Sequence, residues 1–506
     1  MNKPSAYELI RSNIGVDGKL PHTFSLEEKP APNQLGFLPG AMDGIGMFHV
    51  GKEEERKAVK RVVKLLEKHF KTGDGQYITQ IESILTDTRA ISIIDPILEN
   101  LRAKHKRLDA NRVFEASRTL VKTSGNIELI KICLGLLGLF DLGNEEKLSE
   151  IVTTLARYDD FTLYALAAVS NWTNGNQLIF QIAQHVVGWG KIYAVERLEP
   201  ENETIRDWIL RDGCSNGIMN AYLGLICAEK GDLISALRQE TLDDALFAGV
   251  SILIDAMLDE GPAPGISAYE HAEEALDLYL RHAKGHVSRV EHLWRIVNLR
   301  DWAEGAHKSE ISAECETIIG ASDWKEKLIS AIERQEDTFV FFCACNVASR
   351  LDIDVSQEFF AVVKKDLLQY YAHIPQLFKN PGMADEIIRL CENTLPLDEM
   401  AEGMGDYLFA EAYNQEHQCL DFVLPALAAH PMQGSKLIKT GLNSPVVRGR
   451  NMACRALSGW VKELGKPLSD ISPELYAELV RIHEIEVNEQ TKETMKKLID
   501  GGYESA

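Results

Sequence analysis

Residues 159–231 read DDFTLYALAAVSNWTNGNQLIFQIAQHVVGWGKIYAVERLEPENETIRDWILRDGCSNGIMNAYLGLICAEKG. Tyr164, Tyr193 and Tyr222 recur here at intervals of 29 residues. Leu163, Ile192 and Ala221 precede them by one residue, and Val169, Leu198 and Cys227 follow by five. A period of this size holds one helix–turn–helix unit. Such a unit is too small to bury its own apolar face and must stack on its neighbours. The reading is an all-α chain, an α-solenoid, with the three tyrosines at equivalent positions of three consecutive units.

Outward from that stretch the same pattern continues. From Glu53 onward the apolar spacing predicts helices separated by brief breakers. These include Ser124-Gly125-Asn126, Asn174-Gly175-Asn176 and Lys230-Gly231-Asp232, which fit caps and left-handed helix ends. No alternating strand is visible, so helix should exceed about 60% of the chain with almost no sheet. Glu260-Gly-Pro-Ala-Pro-Gly265 divides regular repeats (53–260) from longer, less regular ones (261–506). Ser472-Pro473 places a capping serine and a first-turn proline at the start of a terminal helix pair.

Residues 1–52 differ. A short helix opens at the capping box Ser5–Glu8. Seven glycines and four prolines then fall between Gly15 and Gly51. The large hydrophobics Phe37, Leu38, Met42, Ile45, Met47 and Phe48 predict that this irregular arm docks on the helices, as a cap on the first repeat or as a lid in the groove. Capping is the preferred expectation.

The balance of 76 acidic against 54 basic residues gives a net charge of −22. That surface repels phosphate backbones and anionic lipid, so neither nucleic acid nor membrane is an expected partner. The basic run Arg56–Lys71 has apolar residues at helical spacing and reads as a surface helix. Nine cysteines lie without CxxC pairing, and Cys343 and Cys345 fall inside an apolar run. No secretory leader is recognisable, so the expectation is a reduced, cytoplasmic protein without disulfides. The apolar stretch Ile127–Leu142 contains Glu128, Lys131 and Asp141 and is too short to span a bilayer, so it reads as a buried helix.

The segments IYAVERLEPENETIRDWILRDG (192–213) and VRGRNMACRAL (447–457) resemble the HEAT-like α-solenoid superfamily. The central segment also resembles a group of uncharacterised bacterial proteins sometimes labelled limonene hydroxylase. A hydroxylase needs a haem, flavin or non-haem iron site, and no local signature for one is present. The superfamily resemblance implies a repeat fold and says little about activity.

Three motifs resemble catalytic or metal sites. Gly213-Cys-Ser215-Asn-Gly217 matches a nucleophile elbow, but a helix rather than a strand precedes it. Gly213 therefore reads as a helix C-terminal glycine, with Ser215 or Asn216 as the next cap. Gly46–Glu53 falls one residue short of a phosphate loop, with Glu53 where a hydroxyl is required. His282 and His286 stand four apart, but Gly285 reads as a helix end that would leave His286 outside. No cofactor and no metal are expected. The richest mixture of polar and aromatic groups is Trp189, Tyr193, Glu196, Arg197, Arg206, Asp207, Trp208 and Arg211, the candidate ligand or partner surface. The competing reading of these residues is core tryptophans and arginines paired with acids of the adjacent repeat. The functional expectation is a binding scaffold for a protein or peptide. The alternative is an enzyme or small-molecule sensor with its site near Trp189–Asp212, covered by the arm. A closed pocket with a buried, perturbed carboxylate would favour the alternative.

Overall fold

The computed structural model describes residues 4–21, 23–26, 37–45, 55–142, 145–261, 263–335, 337–380, 382–408 and 414–502. Helix accounts for 72% of the described residues. Among the described residues there is no strand, only an isolated bridge between Tyr407 and Val446. No helix there is long and apolar enough to cross a membrane.

The chain folds as two units. The first gathers the described residues of Met1–Glu28, Phe37–Val287 and Asn298–Ile318, and the second those of Ser288–Val297 and Ile319–Ala506. In the first unit, α1 (Ala6–Asn13) and α2 (Ala41–Ile45) belong to the arm. The body begins with α3 (Arg56–Thr72), α4 (Gln76–Leu85), α5 (Ala90–Ala103), α6 (Ala110–Thr123) and α7 (Ile127–Leu137). It continues with α8 (Glu146–Leu155), α9 (Asp159–Val169), α10 (Gly175–His185), α11 (Gly188–Arg197) and α12 (Glu203–Trp208). Then come α13 (Ala221–Lys230), α14 (Leu233–Leu237), α15 (Asp244–Leu258) and α16 (Ala272–His286), and parts of two further helices, Val290–Gly305 and Ser309–Gly320, complete the unit. Helices α5, α7, α9, α11, α13 and α15 pack each against the next in one layer. Helices α6, α8 and α10 cover that layer.

Local chemistry places the helix ends. The Ser5 hydroxyl accepts the Glu8 N–H (3.2 Å), Asn126 Oδ1 accepts that of Leu129 (2.9 Å), and Asn202 Oδ1 that of Ile205 (3.0 Å). In α3 the apolar positions Val59, Val62, Val63, Leu66 and Phe70 are buried and the lysines face outward. In the second unit Ser472 caps the helix Pro473–Ile485 with proline at its start. The helix Val447–Leu464 there buries Arg450, whose guanidinium grips Glu486 through bonds of 2.6 and 2.8 Å. Its remaining nitrogen donates to the carbonyls of Ser444 (2.8 Å) and Gly405 (3.1 Å). All nine cysteines are free and buried.

Two expectations about register need correction. Tyr164 and Tyr193 are each the sixth residue of their helix, but Tyr222 is the second residue of α13. A π-helical turn, Ile209–Gly213, and the loop 214–220 take up the intervening residues. Gly213 lies inside that turn rather than at a left-handed helix end. Helix α16 also continues through Gly285 to His286, because His286 stacks on Phe247 (4.7 Å) and bonds Asp244 (3.2 Å).

The described residues of the arm dock on α6, α8, α9 and α11, where capping of the first repeat was expected. Helix α1 packs on α6 and α8, with the Ala6 N–H donating to the Ser124 carbonyl (3.0 Å). Farther along, Phe24 meets the Tyr158 ring edge-on at 5.8 Å, and α2 settles over α9 and α11. Phe37 and Leu38 remain 46% and 64% exposed, whereas Ala41, Asp43 and Gly44 are buried. Met47 and Phe48 lie outside the described residues.

Candidate functional site

Helix α7 is buried at every position from Leu129 to Leu137, Lys131 included. The fully buried Lys131 ammonium lies 2.9 Å from Glu128 Oε1, 3.1 Å from Asp43 Oδ2 and 3.4 Å from Asp160 Oδ1. Burial opposes its charge, but the three carboxylates outweigh that and hold its pKa above the ordinary lysine value. Burial also pushes the Asp43 carboxyl upward, against the pull of Lys131. The Tyr164 hydroxyl donates to the same Asp43 oxygen (3.1 Å), and the Tyr193 hydroxyl donates to the Gly40 carbonyl (3.0 Å). The periodic tyrosines thus hold the arm. Gly44 permits the approach, since a Cβ there would lie 2.5 Å from the Trp189 ring.

Beside this latch the arm roofs a cavity of about 450 Å³. Its floor comes from the α8–α9 junction (Arg157–Asp159), the start of α11 (Val187, Gly188, Lys191) and the loop Ser215–Ile218. Lys19, Leu20, Pro21, Phe24, Leu38 and Pro39 of the arm close it. The local sequence explains the geometry. In Gly188-Trp189-Gly190 the two glycines leave room for the Asp159 carboxylate, which accepts the N–H groups of Gly190 and Trp189 at the first turn of α11. Burial outweighs those bonds and lifts the Asp159 carboxyl to about 8. Lys191 donates to the Asp212 carbonyl (2.6 Å) and lies 5.4 Å from the centre of the Trp208 ring. Burial lowers its pKa. The Arg157 guanidinium donates to the Gly18 carbonyl and is likewise lowered by burial. A pocket of this volume suits a small molecule, and it sets a carboxyl raised by burial beside an ammonium lowered by it.

The residues singled out from sequence separate into three places. Trp189 and Tyr193 are buried beneath the arm, with Trp189 5.5 Å from the Tyr222 ring. Glu196 and Arg197 are half-buried beside one another, the first raised and the second lowered by burial. Arg206, Asp207, Trp208 and Arg211 form an outward group. Trp208 packs edge-on against Phe180, and Arg206 bonds the Pro200 carbonyl (3.1 Å). Arg211 pairs with Asp207 (2.8 Å) and with Asp243 of the next helix pair (2.6 Å). That is the interlocking of adjacent repeats expected of structural arginines, so the eight do not form one surface. Ser215 follows a π turn and no strand, so the elbow geometry is absent. The residue is exposed and reaches the cavity rim, while Asn216 turns its side chain onto the Ile218 and Met219 amides. Among the residues 46–53 of the phosphate-loop-like run none is described. His282 bonds the Leu237 carbonyl (2.9 Å) and His286 bonds Asp244, so the two diverge. No group of three or more metal-ligating side chains occurs among the described residues.

Sequence reasoning missed Lys131, Asp43 and Asp159. The available signals were a lysine in the middle of an apolar run and an acid at the start of a helix followed, one repeat on, by a Gly-x-Gly. The chain matches no protein-family model and no curated protein.

Proposed function

We propose that this chain is a HEAT-like helical-repeat protein that binds a small molecule beneath its own N-terminal arm, acting as a receptor or sensor. The observation that carries the reading is the arm itself. Asp43 on Lys131, and Gly40 and Asp43 on the two tyrosines, fill the face that a peptide groove would have to leave open. What remains beside the arm is a pocket of ligand size. The repeat assignment is supported by the layer of alternate helices from α5 to α15. Nine free thiols support a reducing, cytoplasmic setting.

The test is to recover the full-length protein from native extract and analyse it by native and denaturing mass spectrometry. The reading expects a non-covalent small molecule released on unfolding, and slower hydrogen exchange of the arm when it is bound. A stoichiometric protein partner that crosslinks to α9 and α11 with the arm displaced would overturn it.

A second reading, a scaffold for a protein partner, draws on the second unit. There Trp294, Phe339 and Phe342 form a cluster with ring separations of 5.6 to 6.5 Å, and Phe339 is 42% exposed. Loss of a partner on Phe339→Ser, with the arm undisturbed, would favour it.

A further inference from the structure

The cavity beneath the arm also carries information about its ligand, and this step rests on the small-molecule reading above. Three cations reach it, Lys19 from the arm, Arg157 from the α8–α9 junction and Lys191 from α11. Against the two carboxyl residues of the lining, Asp159 and Asp212, this is a local excess of basic residues in a chain of net charge −22. The partners of two of these cations are neutral. Arg157 bonds a backbone carbonyl, and Lys191 bonds another beneath an indole face. Among the described residues no carboxylate lies within ion-pair distance of Lys19 or Lys191. After burial, the charge of Asp212 acts on Lys191 most strongly and favours its charged form, and the charge of Lys19 opposes it across the space.

Acids stand near two of the cations, the charge of Asp17 supporting that of Arg157 and the charge of Asp212 that of Lys191, but neither forms an ion pair with them. Asp159 is committed to the amides at the start of α11, and burial lifts its carboxyl to about 8. Asp212 is exposed and offers Lys191 its carbonyl. Apolar lining comes from Phe24 and Leu38 on the arm and Ile218 on the loop. Converging cations hydrogen-bonded to neutral backbone carbonyls, beside apolar side chains, are complementary to one kind of molecule.

We infer that the pocket takes a small organic anion, a carboxylate or phosphate on an apolar body, with its charged group between Lys19, Arg157 and Lys191. At about 30 Å³ per water-sized group the cavity holds on the order of fifteen heavy atoms. The anion offsets the repulsion between Lys19 and Lys191, and its apolar body covers Phe24 and Ile218.

The experiment titrates the full-length protein with octanoate, phenyl phosphate, inorganic phosphate, octanol and octylammonium, read by calorimetry and by amide exchange at 215–218. At least one of octanoate and phenyl phosphate should bind at least tenfold more tightly than octanol or octylammonium, and which one binds distinguishes carboxylate from phosphate. Inorganic phosphate should be weaker, for want of an apolar body. Lys19→Met, on the arm and half-buried, should weaken anion binding about tenfold while the melting temperature stays unchanged. Lys191→Met should weaken it by more, and Lys191→Arg should retain it. Octanol binding as tightly as octanoate, or octylammonium binding better, would remove the anion inference and leave a small-molecule pocket standing. No binding by any probe, with exchange at 215–218 also indifferent to extract-derived small molecules, would remove both.

Discussion

Replacing Asp43 by asparagine tests whether a single ionic contact holds the arm. Asp43 Oδ2 accepts from Lys131 Nζ and from Tyr164, both at 3.1 Å. The substitution keeps an oxygen for the tyrosine and removes the charge facing the ammonium. Lys131 retains Glu128 at 2.9 Å and Asp160 at 3.4 Å, so the body of the unit is not left with an uncompensated buried cation. The loss is therefore one charge-assisted hydrogen bond, about 1.5–3 kcal/mol. Arm opening should rise about 10- to 140-fold at 1.4 kcal/mol per decade. Native-state hydrogen exchange reads this directly. The Ala41 and Gly44 amides, which bond Leu38 and Gly40, should lose that factor of protection. Amides in the middle of α7 and α9 should keep theirs. Gly44→Ala, which forces a methyl into the Trp189 ring, should open the arm by a different route. Unchanged exchange in the arm would refute the latch. Equal acceleration in α7 and α9 would show that Asp43 supports the body instead.

In the second unit, Arg450→Met should cost about 3–5 kcal/mol in urea unfolding, because it strands a buried Glu486 carboxylate. Adding Glu486→Leu should recover most of that, and a double variant as unstable as the single one would contradict the reasoning. Asp159 predicts a pH dependence. Its folded pKa of about 8 lies above the unfolded value of about 3.9, so the folded state holds the extra proton. Stability should therefore fall as pH rises between those two values and level off above 8. Melts of Asp159→Asn should lack that slope, and parallel profiles would exclude Asp159 as its source. Burial lifts the thiols of Cys133, Cys315 and Cys345 to about 12, so all nine cysteines should resist alkylation in the native state and react together on unfolding. Rapid native labelling of any of these three would contradict that.

Some of this protein was written locally and could be read locally. The burial stripe of α3, the caps Ser5, Asn126 and Asn202, and the proline opening the helix at Pro473 each depend on residues within a few positions of one another. One turn of helix is therefore enough to see them. The spacing of Tyr164 and Tyr193 belongs to this class, because one repeat fixes one helix register. The rest was decided by packing between distant segments. Tyr222 left the register because a π turn at Ile209–Gly213 and the loop after it replaced the helix end expected at Gly213. Helix α16 ran past Gly285 because Phe247 and Asp244, on α15, held His286 in place. Lys131 stood in a stretch read as a buried helix with no partner visible until the stack placed Asp160 beside it and the arm lowered Asp43 onto it. The arm lies over α9 and α11 rather than on the first repeat for the same reason. A buried cation requires its carboxylates, and no local pattern says which distant acids will supply them.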